Sequence, residues 1–394
     1  MPLLSIVIAT RNRYEYCKIA ITIILKLIND ECELVLQDNS DNNELSVFVK
    51  ALGDKRISYS YIPDPLSFVD NFSRAVGNCN GEYICLLGDD DTITADIIKL
   101  VHWMKANKIE SVTPKSNVDY IWPNASIPEY NHGYLETPEF TGNYYQVQVE
   151  QQLKSLLSAG IINYQRFGLP RIYHGIVSKE ALLKVEQITG HFFGGLTPDI
   201  YATISLSCVI KVHYLVDYPF TIAGACPASA SVISKTGGHS GELSSAPHFN
   251  HRGSYSWDNA IPRYYSVETI WAETAMNALK EMQRMDLVKY FSKYLFMYEA
   301  IIINRKYILA LSIKKTFCSY KRTFAAQIIH LGLLIAYFPV YCLKKGGKMV
   351  LSRILKAKMQ PAPAIDTNIL SLWDAVQITE EKLKKRQVTL KIDG

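Results

Sequence analysis

LLSIVIATRNR, residues 3 to 13, is an apolar run rich in branched side chains that stops at the polar turn Thr10-Arg11-Asn12-Arg13. A run without polar alternation is the pattern of a strand covered on both faces, so residues 3 to 9 predict a buried parallel strand whose tip is a loop. Apolar residues recur at helical spacing over 15 to 28, and ELVLQ at 33 to 37 predicts a second strand ending at Asp38-Asn39-Ser40-Asp41-Asn42. A helix over 43 to 52, a strand at 57 to 62, a helix over 68 to 78 and a strand at 82 to 87 continue the alternation. The expected fold class is therefore α/β, a Rossmann-like, doubly wound, mostly parallel sheet. Such sheets bind ligands beyond the carboxyl ends of their strands. The polar tips at 10 to 13, 38 to 42 and 88 to 91 are thus where chemistry is expected.

Further along, the pattern loosens. Aromatic and turn residues alternate from 110 to about 170, consistent with sheet extensions and loops that close over an acceptor. RIYHGIV at 171 to 177 predicts a strand and 179 to 188 a helix, while HYLVDYPFTIA at 213 to 223 suggests strands. The Gly, Ser and Pro content of 224 to 263 suggests a long mobile loop, and long helices are expected over 264 to 311. No internal repeat is evident.

The composition is that of a globular chain: 394 residues, 48% hydrophobic, 20% charged and 11% aromatic. The eight cysteines form no C-x-x-C pair and no zinc-like cluster, which fits reduced thiols better than a disulfide framework. The apolar start of the chain lacks the basic leader of a secretory signal, so the catalytic part is expected in the cytoplasm. Charge is unevenly distributed. Between Glu299 and Asp366 there are twelve Lys and Arg and no acidic residue, so the net +5 of the whole chain leaves minus 7 outside that stretch. The apolar content of the basic segment favours an anionic membrane over nucleic acid as its partner.

The strongest chemical signal is GEYICLLGDDDT at 81 to 92, where an apolar strand delivers Asp89, Asp90 and Asp91 to its own tip. Adjacent carboxylates repel one another unless a cation offsets them, and Mn²⁺ or Mg²⁺ is the natural partner for such oxygen ligands and for a diphosphate. An EF-hand is excluded, because Thr94 and Leu100 fall where its loop requires Gly and Glu.

The ordered set LSIVIATRNR, VLQDNSDN, DNFSRAVGNCNGEYICLLGDDDTI and TPDIY resembles family 2 of the inverting glycosyltransferases, of the bacterial surface-polysaccharide type with the GT-A fold, over roughly residues 3 to 235. The resemblance implies that Thr10, Arg11 and Arg13 lie against the nucleotide, that Asp38 hydrogen-bonds its base, and that Asp70 and Asn71 approach the nucleoside or donor sugar. It implies that Asp89, Asp90 and Asp91 are the DXD motif, with Asp89 and Asp90 on the donor and Asp91 on the metal. Gly88 stands where many relatives carry the first Asp, which leaves the assignment within the triplet open by one residue. Asp199 matches the catalytic base, a helix N-cap being the competing role. His239, in a Gly-rich loop, matches a late histidine that completes metal coordination. His174 is assigned to the acceptor pocket, with a satisfied core histidine as the alternative.

The expected organisation follows: a GT-A nucleotide-sugar-binding and catalytic domain at 1 to 235, a mobile active-site loop at 236 to 263, and a mainly helical C-terminal extension. That extension comprises a helical region at 264 to 320, a basic amphipathic membrane-associating segment at 321 to 360, and a linker with a C-terminal helix at 361 to 394. Residues 325 to 343 are long enough to cross a bilayer, but Gln327, His330 and Pro339 interrupt them and positive charge flanks both ends. A helix pair lying in the membrane interface is expected, with 349 to 359 as its second piece. A hairpin buried in an oligomer interface is the rival. The C-terminal helix would pack on a second copy, giving a homo-oligomer. The expected function is inverting transfer of a sugar from a nucleotide-diphosphate sugar, UDP-sugar favoured, to a lipid-linked or growing cell-surface glycan at the inner face of the cell membrane. The alternatives are a nucleotidyltransferase and a catalytically inactive sugar-nucleotide-binding or scaffold protein. The first would need a Gly-rich signature that ATRNR lacks.

Overall fold

The computed structural model describes residues 1–123, 132–229, 232–233, 238–318, 324–355 and 362–392. The opening alternation is present as expected: β1 (Leu4–Thr10), α1 (Tyr14–Leu27), β2 (Cys32–Asp38), α2 (Glu44–Leu52), β3 (Ile57–Tyr61), α3 (Phe68–Gly77) and β4 (Tyr83–Leu87). β1 lies between β2 and β4, parallel to both, with Leu4 opposite Cys32 on one side and Tyr83 on the other. Every residue of β1 is buried, which is why its sequence shows no polar alternation. Its side chains feed two cores. Val7 and Ala9 face one layer, while Leu4, Ile6 and Ile8 face the other with α1.

Beyond β4 come β5 (Thr92–Ile93), α4 (Ile97–Ala106), β6 (Ser111–Pro114), β7 (Val118–Ile121), β8 (Tyr134–Thr137), β9 (Tyr144–Gln146) and α5 (Val149–Ser158). Then follow β10 (Ile176–Ser178), α6 (Lys179–Thr189), α7 (Pro198–Val209), β11 (His213–Val216) and β12 (Thr221–Ala225). The large sheet has the order β3-β2-β1-β4-β10-β6-β11-β9, and a second sheet begins with β12 between β7 and β5. β10 is antiparallel to both neighbours, β4 and β6. The strand expected at 171 to 177 is therefore mostly a turn, with His174 in the left-handed region at φ 57° and only its end in β10. α6 starts at a Ser178 cap that accepts from the Ala181 amide.

The stretch 238 to 263, read from composition as loop, carries β13 (Ser240–Gly241), two short 3₁₀ turns and a buried Trp257. β14 (Tyr265–Ser266) pairs with β13, and α8 (Val267–Glu281) follows behind a Ser266–Thr269 capping box. α9 (Met285–Val288) leads to α10 (Lys293–Cys318), whose helical path breaks at Ile308.

The C-terminal part departs from expectation in two ways. α11 (Phe324–Leu355) is one helix of 32 residues, continuous through Pro339, Gly346 and Gly347, instead of two pieces. Residues 321–323 and 356–360 of the expected membrane segment lie outside the described residues. The tail, in turn, packs on its own chain. β15 (Ala364–Thr367) pairs antiparallel with β8, and α12 (Leu372–Lys385) buries Leu372, Ala375, Val376 and Leu383 in the same core as α1.

Candidate active site

Parallel pairing of β1 with β4 puts their tips side by side, and this register builds the site. Thr10, the last residue of β1, donates its hydroxyl to Asp89 Oδ2 at 2.6 Å. Arg13, at the start of α1, bridges the next two carboxylates: Nη1 lies 2.9 Å from Asp89 Oδ1 and Nη2 2.8 Å from Asp90 Oδ2. Burial opposes the guanidinium charge, but Asp89 and Asp90 outweigh it and raise the Arg13 pKa. Burial pushes Asp89 and Asp90 upward, with Arg13 pulling the other way.

Asp91 is held by four donors. Its Oδ2 accepts from the Gly88 amide at 2.6 Å and the Tyr173 hydroxyl at 2.9 Å, with His174 Nε2 at 3.2 Å. Its Oδ1 accepts from the Gly224 amide at 2.7 Å. Burial alone would raise its pKa, yet His174 and the amide donors prevail and lower it. The β12 edge also holds Asp90: the Cys226 amide donates to Oδ2 at 2.9 Å, and Trp122 Nε1 donates to the Asp90 carbonyl at 3.1 Å. A Cβ at Gly224 would stand 1.8 Å from the Asp90 carbonyl oxygen, so the close passage of β12 requires glycine.

Asp89 and Asp90 face a guanidinium, Asp91 has a filled set of donors, and no group of three His, Cys, Asp or Glu among the described residues converges to hold an ion. His239, expected to join Asp91 on a metal, lies in β13 country with its ring 6.0 Å from that of Tyr265. The carboxylates of Asp89, Asp90 and Asp91 are hard oxygen donors of the kind Mn²⁺ or Mg²⁺ takes, and Arg13 places positive charge against two of them. His174 is likewise relocated. It is 96% buried, with Nδ1 3.2 Å from the Thr221 hydroxyl, and so braces Asp91 where a pocket wall was expected.

The other expected positions divide. Asp38 is fully buried, its carboxylate taking the Ser40 amide at 2.9 Å and the Tyr59 hydroxyl at 2.8 Å, so it fixes the turn after β2. Arg11 points outward to Asp41, 3.4 Å away. Asp70 accepts the Ser67 hydroxyl at 2.5 Å within the α3 cap. Asn71 donates to the Thr10 carbonyl at 3.4 Å, and its buried Oδ1 has no partner among the described residues.

Asp199 occupies the first turn of α7, directly after Pro198 at the start of the helix. Its Oδ1 accepts from the Thr197 hydroxyl and its Oδ2 from the Tyr164 hydroxyl at 3.0 Å. Tyr164 in turn meets Trp271 of α8 edge to face at 4.9 Å. The carboxylate is half-buried, held on both oxygens and placed at a positive helix end. Sequence reading missed Tyr164, Tyr173, Gly224 and Cys226. Only Tyr173 carried a signal, as the neighbour of His174.

The site is an acidic strand tip beside the turn after β1 in a doubly wound α/β sheet. Residues 5–160 match the profile of glycosyl transferase family 2. Over those residues the chain is similar to glycosyl transferase family 2. No curated protein matches the chain in sequence. Among solved structures, S. aureus TarS 1-349 in complex with UDP-GlcNAc is similar at 13% identity and a TM-score of 0.45, over 86% of this chain and 92% of that one. The mannosyltransferase PcManGT from Pyrobaculum calidifontis, in complex with GDP-Man and Mn²⁺, is similar at 11% identity and a TM-score of 0.39, over 85% and 86% of the two chains.

Proposed function

We propose that this glycosyltransferase moves a sugar, with inversion, from a nucleotide-diphosphate sugar, UDP-sugar favoured, to a lipid-linked or growing surface glycan at the cytoplasmic face of a membrane. The observation that carries the reading is Asp199, a carboxylate fixed through both oxygens at the start of α7. In the proposed step Asp199 takes the proton of an acceptor hydroxyl while the hydroxyl oxygen attacks the anomeric carbon. The bond from that carbon to the diphosphate oxygen breaks, and the nucleotide diphosphate leaves with the electron pair. The Arg13 guanidinium is the cation available to meet the departing charge. The unpartnered Asn71 Oδ1 supplies an acceptor for a donor hydroxyl or base amine. The inactive-scaffold alternative differs in one observable. UDP-glucose, UDP-GlcNAc and GDP-mannose are incubated with the chain, and release of UDP or GDP is followed. Asp199→Asn is expected to lower release by about 10² to 10⁴, the usual contribution of a positioned base, with nucleotide affinity unchanged. Equal turnover by the variant would remove Asp199 from the reaction.

A further inference from the structure

Three positions of α11, His330, Leu334 and Tyr341, are buried among its described side chains. At about 100° per residue they fall in one stripe roughly 40° wide. That stripe packs on the first half of α10, where Tyr298 stacks on Tyr341 at 4.9 Å, its hydroxyl donates to the Leu334 carbonyl at 2.8 Å, and Glu299 pairs with Lys345 at 2.8 Å. Most of the rest of the circumference is exposed and apolar. Ile329 is 62% exposed, Leu333 50%, Ile335 60%, Phe338 51% and Leu343 76%. The window from Ala325 to Gly347 has a mean hydropathy of 1.7. A helix apolar around nearly its whole girth requires an apolar surrounding.

Arg305, Lys306, Lys314 and Lys344 are exposed on the same two helices, and Leu309 and Ile313 of α10 are exposed beside them. Aliphatic surface with cationic residues at its margins fits the boundary between acyl chains and anionic headgroups.

The length of the chain argues against crossing. At about 1.5 Å per residue α11 is roughly 48 Å long, more than the roughly 30 Å of a bilayer core. The segment from Leu355 to Ala364, where β15 rejoins β8, can reach about 30 Å at full extension. A crossing helix would leave Leu355 on the far side and bring an extended backbone back through hydrocarbon, where its amides and carbonyls have no partners. We infer that α10 and α11 form a monotopic anchor immersed in one leaflet of an anionic bilayer, tethered to the catalytic domain at both ends. This deepens the membrane part of the proposed function and is independent of the sugar chemistry.

The test uses the full chain and its own Cys342, which is exposed on α11. Flotation with phosphatidylcholine vesicles containing 30% phosphatidylglycerol is expected to recover at least tenfold more protein than the double variant Phe338→Glu, Leu343→Glu. Maleimide labelling of Cys342, read by peptide mass spectrometry, is expected to fall at least fivefold when those vesicles are added. In sealed inside-out vesicles from producing cells, a C-terminal epitope is expected to be digested by added protease. A protected epitope would establish crossing and overturn the inference, as would equal flotation of the double variant. Lipid-independent protection of Cys342 in a dimer seen by sedimentation would overturn it in favour of a second copy. UDP and GDP binding by the same samples, tested alongside, bears on the transferase reading alone.

Discussion

Glu273 on α8 is 98% buried, and both its carboxylate oxygens lie 3.0 Å from the Asp258 amide nitrogen. Burial, the largest influence, raises its pKa from 4.5 to about 7 against the pull of that amide. Between those two values the unfolded chain has lost the proton and the folded chain keeps it, so native stability falls as pH rises through the window. At about 1.4 kcal/mol per pH unit the full cost above pH 7 is about 3 kcal/mol. Glu273→Gln removes the ionisation while keeping an oxygen for the amide. The variant should match the unaltered chain near pH 4.5 and exceed it by about 2 to 3 kcal/mol at pH 8, less what the weaker neutral hydrogen bond gives up. Urea unfolding of both chains between pH 4.5 and 8.5 measures the difference directly, since every other group titrates equally in the two. A difference that stays flat across that range would refute the assignment of a buried, proton-holding carboxyl at 273.

Two further outcomes concern the triplet. Arg13→Gln should weaken UDP or GDP binding in EDTA by tenfold or more, from the loss of a charge-assisted contact of about 1.5 to 3 kcal/mol, whereas Mn²⁺ added to the unaltered chain should change affinity less than about threefold. Calorimetry checks both, and binding that vanishes in EDTA would show that the guanidinium is not the cation of the site. Gly224→Ala should abolish nucleotide binding and lower the melting temperature, because its methyl would overlap the Asp90 carbonyl oxygen at 1.8 Å; a variant that melts and binds normally would mean that β12 can retreat.

The first half of the sheet was legible because burial on both faces removes polar residues from β1 and β4, leaving strand length and strand tips plain in the sequence. The acidic tip was legible for the same reason. Its counterion was not. Arg13 meets Asp89 and Asp90 only through the register of two strands whose tips lie more than seventy residues apart, and composition reports no register. The strand expected around His174 is largely a turn, because a strand and a left-handed turn can share the same apolar letters, and the residue meets the core-histidine alternative. Only the backbone shows that residue 174 turns its ring toward Asp91. α11 was expected as two pieces, 325 to 343 interrupted by Gln327, His330 and Pro339 and then 349 to 359, yet one helix runs on through Pro339 and the Gly346–Gly347 pair, helix breakers by propensity. β15 is four residues long, too short for any periodicity to announce it.

Gly133 and Gly142, both at positive φ, let the tail come close: a Cβ would lie 1.8 Å from the Ile369 carbonyl oxygen at the first and 1.9 Å from that of Thr389 at the second. Residues 362–392 thus act as a keystone for the domain that β1 and α1 open. A ribosome that has finished β12 has not yet supplied the pieces that close the α1 face, and the greasy helix leaves the exit tunnel before they do. Maturation is therefore ordered by synthesis, with α11 made before the segment that seals the catalytic half.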